Sequence, residues 1–166
     1  MNRAVEDLLA RSNRLGAFDF NSRFYADDDL IVGAADPFQL FRILVEVVRG
    51  GGYDEGTDVS FMLDQCHNVE PKIPGQIRSV LNVQEMTARA LLVDRRALAE
   101  AERAGDVLAG NAVMMDAFAT DVRADLAEWR ASRGFAADPM ATYAQSGYAE
   151  QIATERVGGD QAGWGA

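Results

Sequence analysis

Two short apolar runs, each followed by a polar loop and then by a helical pattern, most constrain how this chain folds. The runs are "AFDFN", between Gly16 and Ser22, and "DVSFML", which ends at Leu63; both are too short for helices and are predicted to be strands. Because a helix separates them, the strands are predicted to run parallel, with a right-handed crossover and with both faces buried. This order of elements indicates an α/β fold.

Helical patterns surround the two strands. A first helix is predicted from apolar residues at a helical period: Val5, Leu8, Leu9 and Leu15. The motif "DPFQ", starting at Asp36, combines an N-cap, a proline at the first helical position and a glutamine at the third, and the helix that it opens is predicted to end at Gly50. A further long helix is predicted from about Pro74 to Val93.

From Arg95 onward only helical patterns follow. One helix is predicted around Leu98, and a single longer helix ending near Gly134 is predicted from this apolar set: Val113, Phe118, Val122, Leu126 and Trp129. The predicted domains are residues 1–94 with the strand and helix units, 95–157 as a helical extension and 158–166 as a flexible tail. Two parallel strands cannot satisfy their own backbone groups, so the chain is expected to be part of something larger.

The composition excludes several kinds of partner. The 166-residue chain has 16 Lys and Arg against 26 Asp and Glu, a net charge of -10, which argues against nucleic acid binding. The first residues contain no long apolar stretch, so neither a secretory signal nor a membrane span is expected. A single cysteine, Cys66, excludes an intrachain disulfide and suits a reducing compartment; both a small buried side chain and a catalytic thiol remain open for it. We expect a cytoplasmic protein.

The segment "YADDDL", from Tyr25 to Leu30, places three aspartates in a row after the first strand. In an extended segment side chains at i and i+2 point the same way, so Asp27 and Asp29 can converge. Two converging carboxylates are costly without a counter-charge, and hard cations such as Mn²⁺ or Mg²⁺ prefer carboxylate oxygen. A metal site and a solvated acidic turn both remain open at this point.

Polar residues at the second strand fall on the same predicted face. Asp64 directly follows "SFML", the lone histidine His67 comes three residues later, and Asp19 lies in the first strand. Functional groups of parallel β/α folds collect at the carboxyl ends of the strands. Structural roles remain open as alternatives to functional ones. Asp64 can cap a turn, and His67 can be a hydrogen-bonded structural group. The sequence contains no Ser-His-Asp order, glycine-rich phosphate loop or paired-cysteine zinc motif.

Several motifs in order, "GAFDFNSRFYADDDLIVGAADPFQLF", "FMLDQCHNVEPKI", "ALLVDRRAL" and "DPMATYAQSGY", resemble the carboxyl-terminal part of the bacterial L-rhamnose isomerase family, which is related to xylose isomerases. The resemblance spans almost the entire chain. It implies a partial (β/α)8 TIM barrel, of which this chain holds the last two β/α units followed by a C-terminal helical extension. It also implies a metal-dependent aldose–ketose isomerase of the L-rhamnose to L-rhamnulose type, with Mn²⁺ as the expected metal (Mg²⁺ or Co²⁺ as substitutes), which assembles as a homo-oligomer, a tetramer in the family.

The resemblance also implies roles for individual residues. Asp27 and Asp29 match ligands of the second metal and Asp64 matches a ligand of the first, so these three are the expected catalytic residues. Substrate hydroxyls are expected to meet Tyr25 and, more weakly, His67. Where the family has a metal-binding histidine in "FHFN", this chain reads "FDFN", which places the shorter, negatively charged Asp19 among the metal ligands and changes affinity and geometry.

The family's upstream strands, with their bridging glutamate, another aspartate and the second-site histidine, have no counterpart in these 166 residues. The chain is therefore interpreted as a truncated isomerase, inactive alone, whose partner would be a missing N-terminal barrel half. The alternative is a non-catalytic helical interaction module or barrel remnant that associates with itself or with another fragment. A metal hydrolase that reuses the carboxylates ranks last, because no nucleophile or phosphate motif supports it.

Overall fold

The computed structural model describes residues 15–25, 29–52, 59–64 and 71–159. Within them lie two strands, β1 (Ala17–Phe20) and β2 (Ser60–Leu63). The helices are α1 (Pro37–Arg49), α2 (Lys72–Leu91), α3 (Arg95–Ala104), α4 (Val107–Ala119), α5 (Arg123–Ser132), α6 (Pro139–Gln145) and α7 (Tyr148–Gly159). The chain divides into two compact units, one up to Leu126 and one from Ala127. The domain boundaries expected at 94/95 and 157/158 stay a prediction.

The two strands form a parallel sheet with one packed face. Phe18 pairs with Phe61, and Asp19 pairs with Met62. Phe18 and Phe20 are buried, and their rings stack at 5.3 Å, whereas Asp19 between them is exposed. On β2, Met62 is likewise exposed while Phe61 is half-buried and meets the ring of Phe20 edge-on. The exposed side chains therefore define a second, open face of the sheet.

The predicted fold class, a partial (β/α)8 TIM barrel, is wrong. The described residues are mostly helical, with a single two-stranded parallel sheet and no barrel units. Strands of a parallel barrel are covered on both faces, and both faces of these strands were expected to be buried. Here each strand is only four residues long and alternates exposed and more buried side chains, which is the pattern of one-sided packing.

The first crossover helix, α1, begins where its capping motif predicts. The Asp36 carboxylate accepts a hydrogen bond from the Gln39 backbone N–H at 2.9 Å, with Pro37 in the first turn. Phe41 and Leu44 are fully buried and lie at the centre of the hydrophobic core. The predicted first helix around Val5 lies outside the described residues, apart from Leu15, which is not helical.

A contact from α2 ends α4 and so corrects another expectation. The single helix predicted from Val113 to Trp129 is interrupted, because Thr120 adopts an extended conformation after α4. The Arg89 Nε donates to the Thr120 carbonyl at 3.0 Å, and its guanidinium lies 5.4 Å from the centroid of the Phe118 ring. Just beyond, the Arg123 guanidinium donates to the Asp121 carboxylate and holds the pKa of Asp121 well below its ordinary value.

The second unit contains one buried arginine and one arginine that lies over an aromatic ring. Arg130 is buried, and its guanidinium donates to the Ala137 carbonyl through Nε at 3.1 Å and Nη2 at 2.9 Å. Arg133 lies over the Trp129 ring, 4.6 Å from its centroid. Across both units, none of the described helices combines the length and the apolar character needed to cross a bilayer.

Candidate functional site

The residues that follow β1 fold back on themselves. The backbones of Ser22 and Leu30 exchange two hydrogen bonds, from the Ser22 N–H at 3.2 Å and from the Leu30 N–H at 2.7 Å, in an antiparallel bridge. This bridge brings Asp29 beside Asn21, whose Nδ2 donates to the Asp29 Oδ1 at 3.2 Å. The Asp29 carboxylate, eight residues after Asn21 in the sequence, is thereby held at the carboxyl end of β1.

The backbone of Asp29 itself is unusual. Its φ of 47° lies in the left-handed region, and among the described residues other than glycine it is the one with a positive φ. Aspartate and asparagine tolerate this conformation better than most residues because their short polar side chains bond locally. The direction of the Asp29 carboxylate is therefore tied to the path of the loop.

Asp64 continues the β ladder beyond β2. Its backbone N–H donates to the Phe20 carbonyl at 2.9 Å, so it lies level with Asn21 at the carboxyl ends of both strands. Side chains at i and i+2 of a strand share a face, which places Asp19 and Asn21 together on the open face. Asp29 and Asp64 thus lie at the carboxyl end of the sheet, whereas Asp19 lies within β1 on its exposed face.

Of the remaining predicted site residues, only Tyr25 belongs to the part of the chain that the structure describes. Asp27 and His67, as well as Cys66, lie outside the described residues, and their expected roles stay predictions. Tyr25 is described and is 82% exposed.

Carboxylate oxygens are the donors that Mn²⁺ and Mg²⁺ prefer, so the chemistry of the predicted ligands suits the implied metal. Within residues 15–25, 29–52, 59–64 and 71–159, however, no three His, Cys, Asp or Glu side chains group closely enough to hold an ion. These residues alone therefore do not fit a complete metal site.

Two polar residues of α2 that the sequence reasoning missed hold the loop carrying Asp29. The buried Val32 donates its N–H to the Ser79 Oγ at 3.1 Å and accepts at its carbonyl from the Asn82 Nδ2 at 2.8 Å. Ser79 is itself fully buried. A signal was present, since Ser79 stands at helical spacing between the buried residues Gly75 and Val83. A polar side chain on such a face needs a partner.

Replacing Ser79 by alanine is expected to lower the free energy of unfolding by about 1–3 kcal/mol, because the buried Val32 N–H loses its acceptor. Urea denaturation followed by circular dichroism measures this change. The control is Ser132→Ala, which removes an exposed hydroxyl bonded to the Trp129 carbonyl and is expected to have little effect. Equal midpoints for both variants would show that Ser79 does not support the loop.

A groove elsewhere in the first unit holds none of the predicted ligands. It has a volume of about 510 Å³ and is lined by α1, α3 and α4, including Phe38, Arg42, Glu46, Leu98 and Met114. Its walls mix apolar side chains with charges of both signs. This groove therefore does not coincide with the predicted ligands. The carboxyl end of the sheet remains the candidate site because Asp29 and Asp64 both lie there.

The chain is similar to two known proteins over most of its length. No protein-family model matches the chain. The chain is 42% identical over 149 residues to a protein of Mesorhizobium japonicum named as a probable sugar isomerase. The aligned region covers 89% of this chain and 35% of that protein. It is 39% identical over 156 residues to a protein of Rhizobium meliloti that is also named as a probable sugar isomerase. The aligned region covers 92% of this chain and 36% of that protein.

The chain thus spans roughly a third of the length of the curated relatives that it matches. The names of these relatives give neither a particular sugar nor a metal. Over most of its length this chain is similar to two proteins named as probable sugar isomerases.

Proposed function

We propose that this chain is part of an aldose–ketose sugar isomerase of the L-rhamnose to L-rhamnulose type and contributes acidic residues to its active site. The observation that carries the proposal is the identity of 39–42% to probable sugar isomerases over most of the chain. The rhamnose type rests on the motif resemblance, particularly "YADDDL" and "FMLDQCHN".

The position of the carboxylates supports this proposal. An aldose–ketose isomerisation moves a hydrogen between C1 and C2 and a proton between the two oxygens, so the active site needs groups that accept and return protons. Asp64 is exposed at the end of β2, and Asn21 holds one oxygen of Asp29. In the proposed site, these carboxylates accept hydrogen bonds from the sugar hydroxyls.

Manganese dependence is part of the proposal. Because the described carboxylates do not by themselves complete a donor set, we propose that Asp27 and residues outside this chain supply the remaining ligands. For the same reason the isolated 166-residue chain is proposed to be inactive. We also propose, from the resemblance, assembly with further copies into a homo-oligomer.

The proposal predicts that the purified chain binds Mn²⁺ weakly and that Asp64→Asn lowers this affinity at least about tenfold, because a charged ligand is lost. Isothermal titration calorimetry with Mn²⁺ alone measures the affinity. Asp116→Asn, which removes an exposed carboxylate of α4, is the matched control and is expected to bind as the wild type does. A colorimetric assay for L-rhamnulose, run with the same samples, tests the expected lack of turnover.

The alternative, a non-catalytic interaction module, predicts no response to Mn²⁺ in any of the three proteins. Absence of binding by the wild type, or equal binding by Asp64→Asn, would therefore contradict the metal role. Robust turnover by the isolated chain would contradict the proposed inactivity and leave the isomerase assignment stronger.

A further inference from the structure

The described part of the loop between β1 and α1 is held by several backbone contacts. The backbones of Ser22 and Leu30 form the antiparallel bridge, and the Oγ of the buried Ser22 accepts from the Ala35 N–H at 3.1 Å. The buried Val32 is held at its N–H and its carbonyl by two side chains of α2. The backbone that carries Asp29 is therefore fixed by contacts that do not involve the Asp29 side chain.

A fixed backbone does not by itself fix the direction of a carboxylate. Rotation about the two side-chain bonds of aspartate directs its oxygens in several ways. The Asn21 Nδ2 donates to the Asp29 Oδ1 at 3.2 Å, within the range of an N–H···O hydrogen bond. Because Asn21 directly follows β1 and lies level with Asp64, its own position is set by the sheet. The amide thus joins a carboxylate on the loop to the end of a strand.

We propose that Asn21 is a positioning residue, which fixes the direction of the Asp29 carboxylate in the proposed active site. The inference rests on the proposed function for the role of Asp29 and on the structure for the contact between the two side chains. An ionised carboxylate offers about four lone-pair positions, so one hydrogen bond to Oδ1 leaves others for a ligand.

An amide donor suits this role because it is neutral. A lysine or arginine at position 21 would form an ion pair with Asp29 and compensate its charge. A carboxylate at position 21 would repel it. Asparagine donates a hydrogen bond and leaves the negative charge of Asp29 in place, so the carboxylate remains able to attract a cation or to accept from a sugar hydroxyl.

The left-handed backbone of Asp29 agrees with a position that its surroundings hold in place. Residues in sparsely populated backbone regions persist where other contacts fix them, and they cluster at ligand-binding sites. Glycine adopts the same φ without steric cost. Asp29→Gly therefore removes the carboxylate without forcing the loop into a new path, which makes it suitable for testing the contact.

Nuclear magnetic resonance of the purified chain tests the contact in the absence of any ligand. In Asp29→Gly, the side-chain amide proton of Asn21 that donates to Oδ1 is expected to move upfield, because it loses a charged acceptor. The side-chain amide protons of Asn82, which donates to the Val32 carbonyl, are the internal reference and are expected to stay unchanged. Unchanged Asn21 signals in Asp29→Gly overturn the proposal.

Calorimetric titration with Mn²⁺ alone tests the effect of the contact on the site. Asn21→Leu, which keeps a similar shape without the donor, is expected to bind Mn²⁺ about fivefold more weakly than the wild type. Asn21→Gln restores a donor and is expected to recover part of the affinity. Asn111→Leu, the same change at an exposed residue of α4, is the matched control and is expected to bind like the wild type.

Urea denaturation separates positioning from a general loss of structure. Asn21 is exposed, so Asn21→Leu is expected to unfold at the same urea concentration as the wild type. Equal Mn²⁺ binding by Asn21→Leu and the wild type overturns the positioning role, as does weaker binding that is accompanied by a lower urea midpoint. If the wild type does not bind Mn²⁺, the proposed metal role fails, and the Asn21 signals then decide alone whether this amide holds Asp29.

Discussion

Truncating Phe41 to alanine is expected to lower the free energy of unfolding by about 3–5 kcal/mol, a large fraction of the total stability of a typical domain. Phe41 is fully buried, and its ring lies 5.7 Å from that of Phe38 and 5.4 Å from that of Phe118. The variant loses the burial of the ring and leaves a cavity between α1 and α4. Urea denaturation of the wild type and the variant measures the difference.

Phe24→Ala is the matched control for this experiment. It removes the same ring from a residue that is 67% exposed, so its effect on the unfolding midpoint is expected to be small. Phe41→Leu, which keeps most of the apolar volume, is expected to fall between the two. A loss below about 1 kcal/mol for Phe41→Ala would mean that the Phe41 ring does not contribute to the hydrophobic core as its burial predicts.

The second large effect is expected from Arg49, at the end of α1. Its guanidinium forms a bidentate pair with Glu102 of α3 at 3.0 and 2.7 Å and lies 3.3 Å from the Glu46 carboxylate. The side chains of Arg49 and Glu46 are only 13% and 6% exposed. Arg49→Met removes the positive charge facing a buried carboxylate and is expected to cost about 3 kcal/mol of stability.

A second substitution separates the charge from the packing. In the Arg49→Met background, Glu46→Gln removes the carboxylate that lost its guanidinium, so it is expected to restore part of the lost stability. Arg96→Met is the matched control, because Arg96 is 88% exposed and its pair with Glu100 contributes little. If Arg49→Met and Arg96→Met shift the urea midpoint equally, the half-buried pair is no more important than a surface one.

The local elements of this fold are readable from the sequence, whereas the assembly is not. Asp36 and Pro37 begin α1 as their residue types predict, and the runs "AFDF" and "SFML" form the two parallel strands. The predicted fold class is wrong because the order of strand, loop and helix predicts strands buried on both faces and the family resemblance implies a barrel, whereas both strands pack on one face. The exposure of Asp19 within β1 was the contrary signal, since a charged side chain in a strand favours one-sided packing.

A tertiary contact also interrupts a helix that the sequence pattern predicts to be continuous. The apolar spacing from Val113 to Trp129 fits one continuous helix, but the chain turns at Thr120, whose carbonyl accepts from Arg89. Nothing in the local residue pattern reveals that an arginine some thirty residues earlier occupies that carbonyl. Short-range patterns record helix propensity, and a break set by a distant side chain lies outside what they record.

The positions of Asp29 and Asp64 could be predicted from the sequence, and their roles in a site stay predictions. The residues that support the loop were not predicted. Parallel strands joined through a helix place their carboxyl ends together, so Asp64 and Asp29 were expected at one end and are found there. Their supports, Asn21 and Ser79, each act across a gap in sequence that only folding closes. Asn21 shares the strand face of Asp19, a relation that the alternation of the strand already contained.

The parallel pairing of β1 and β2 has a consequence for how this chain emerges from the ribosome. The hydrogen bond from Asp64 to Phe20 closes a segment of roughly forty residues, which carries an entropic cost that local contacts do not have. During translation β1 therefore cannot pair with β2 until α1 and then β2 have been synthesised. Asp19 places a negative charge in the middle of this unpaired strand. A charge on an edge strand opposes the addition of a strand from another chain. Asp19 is therefore expected to discourage aggregation before folding is complete.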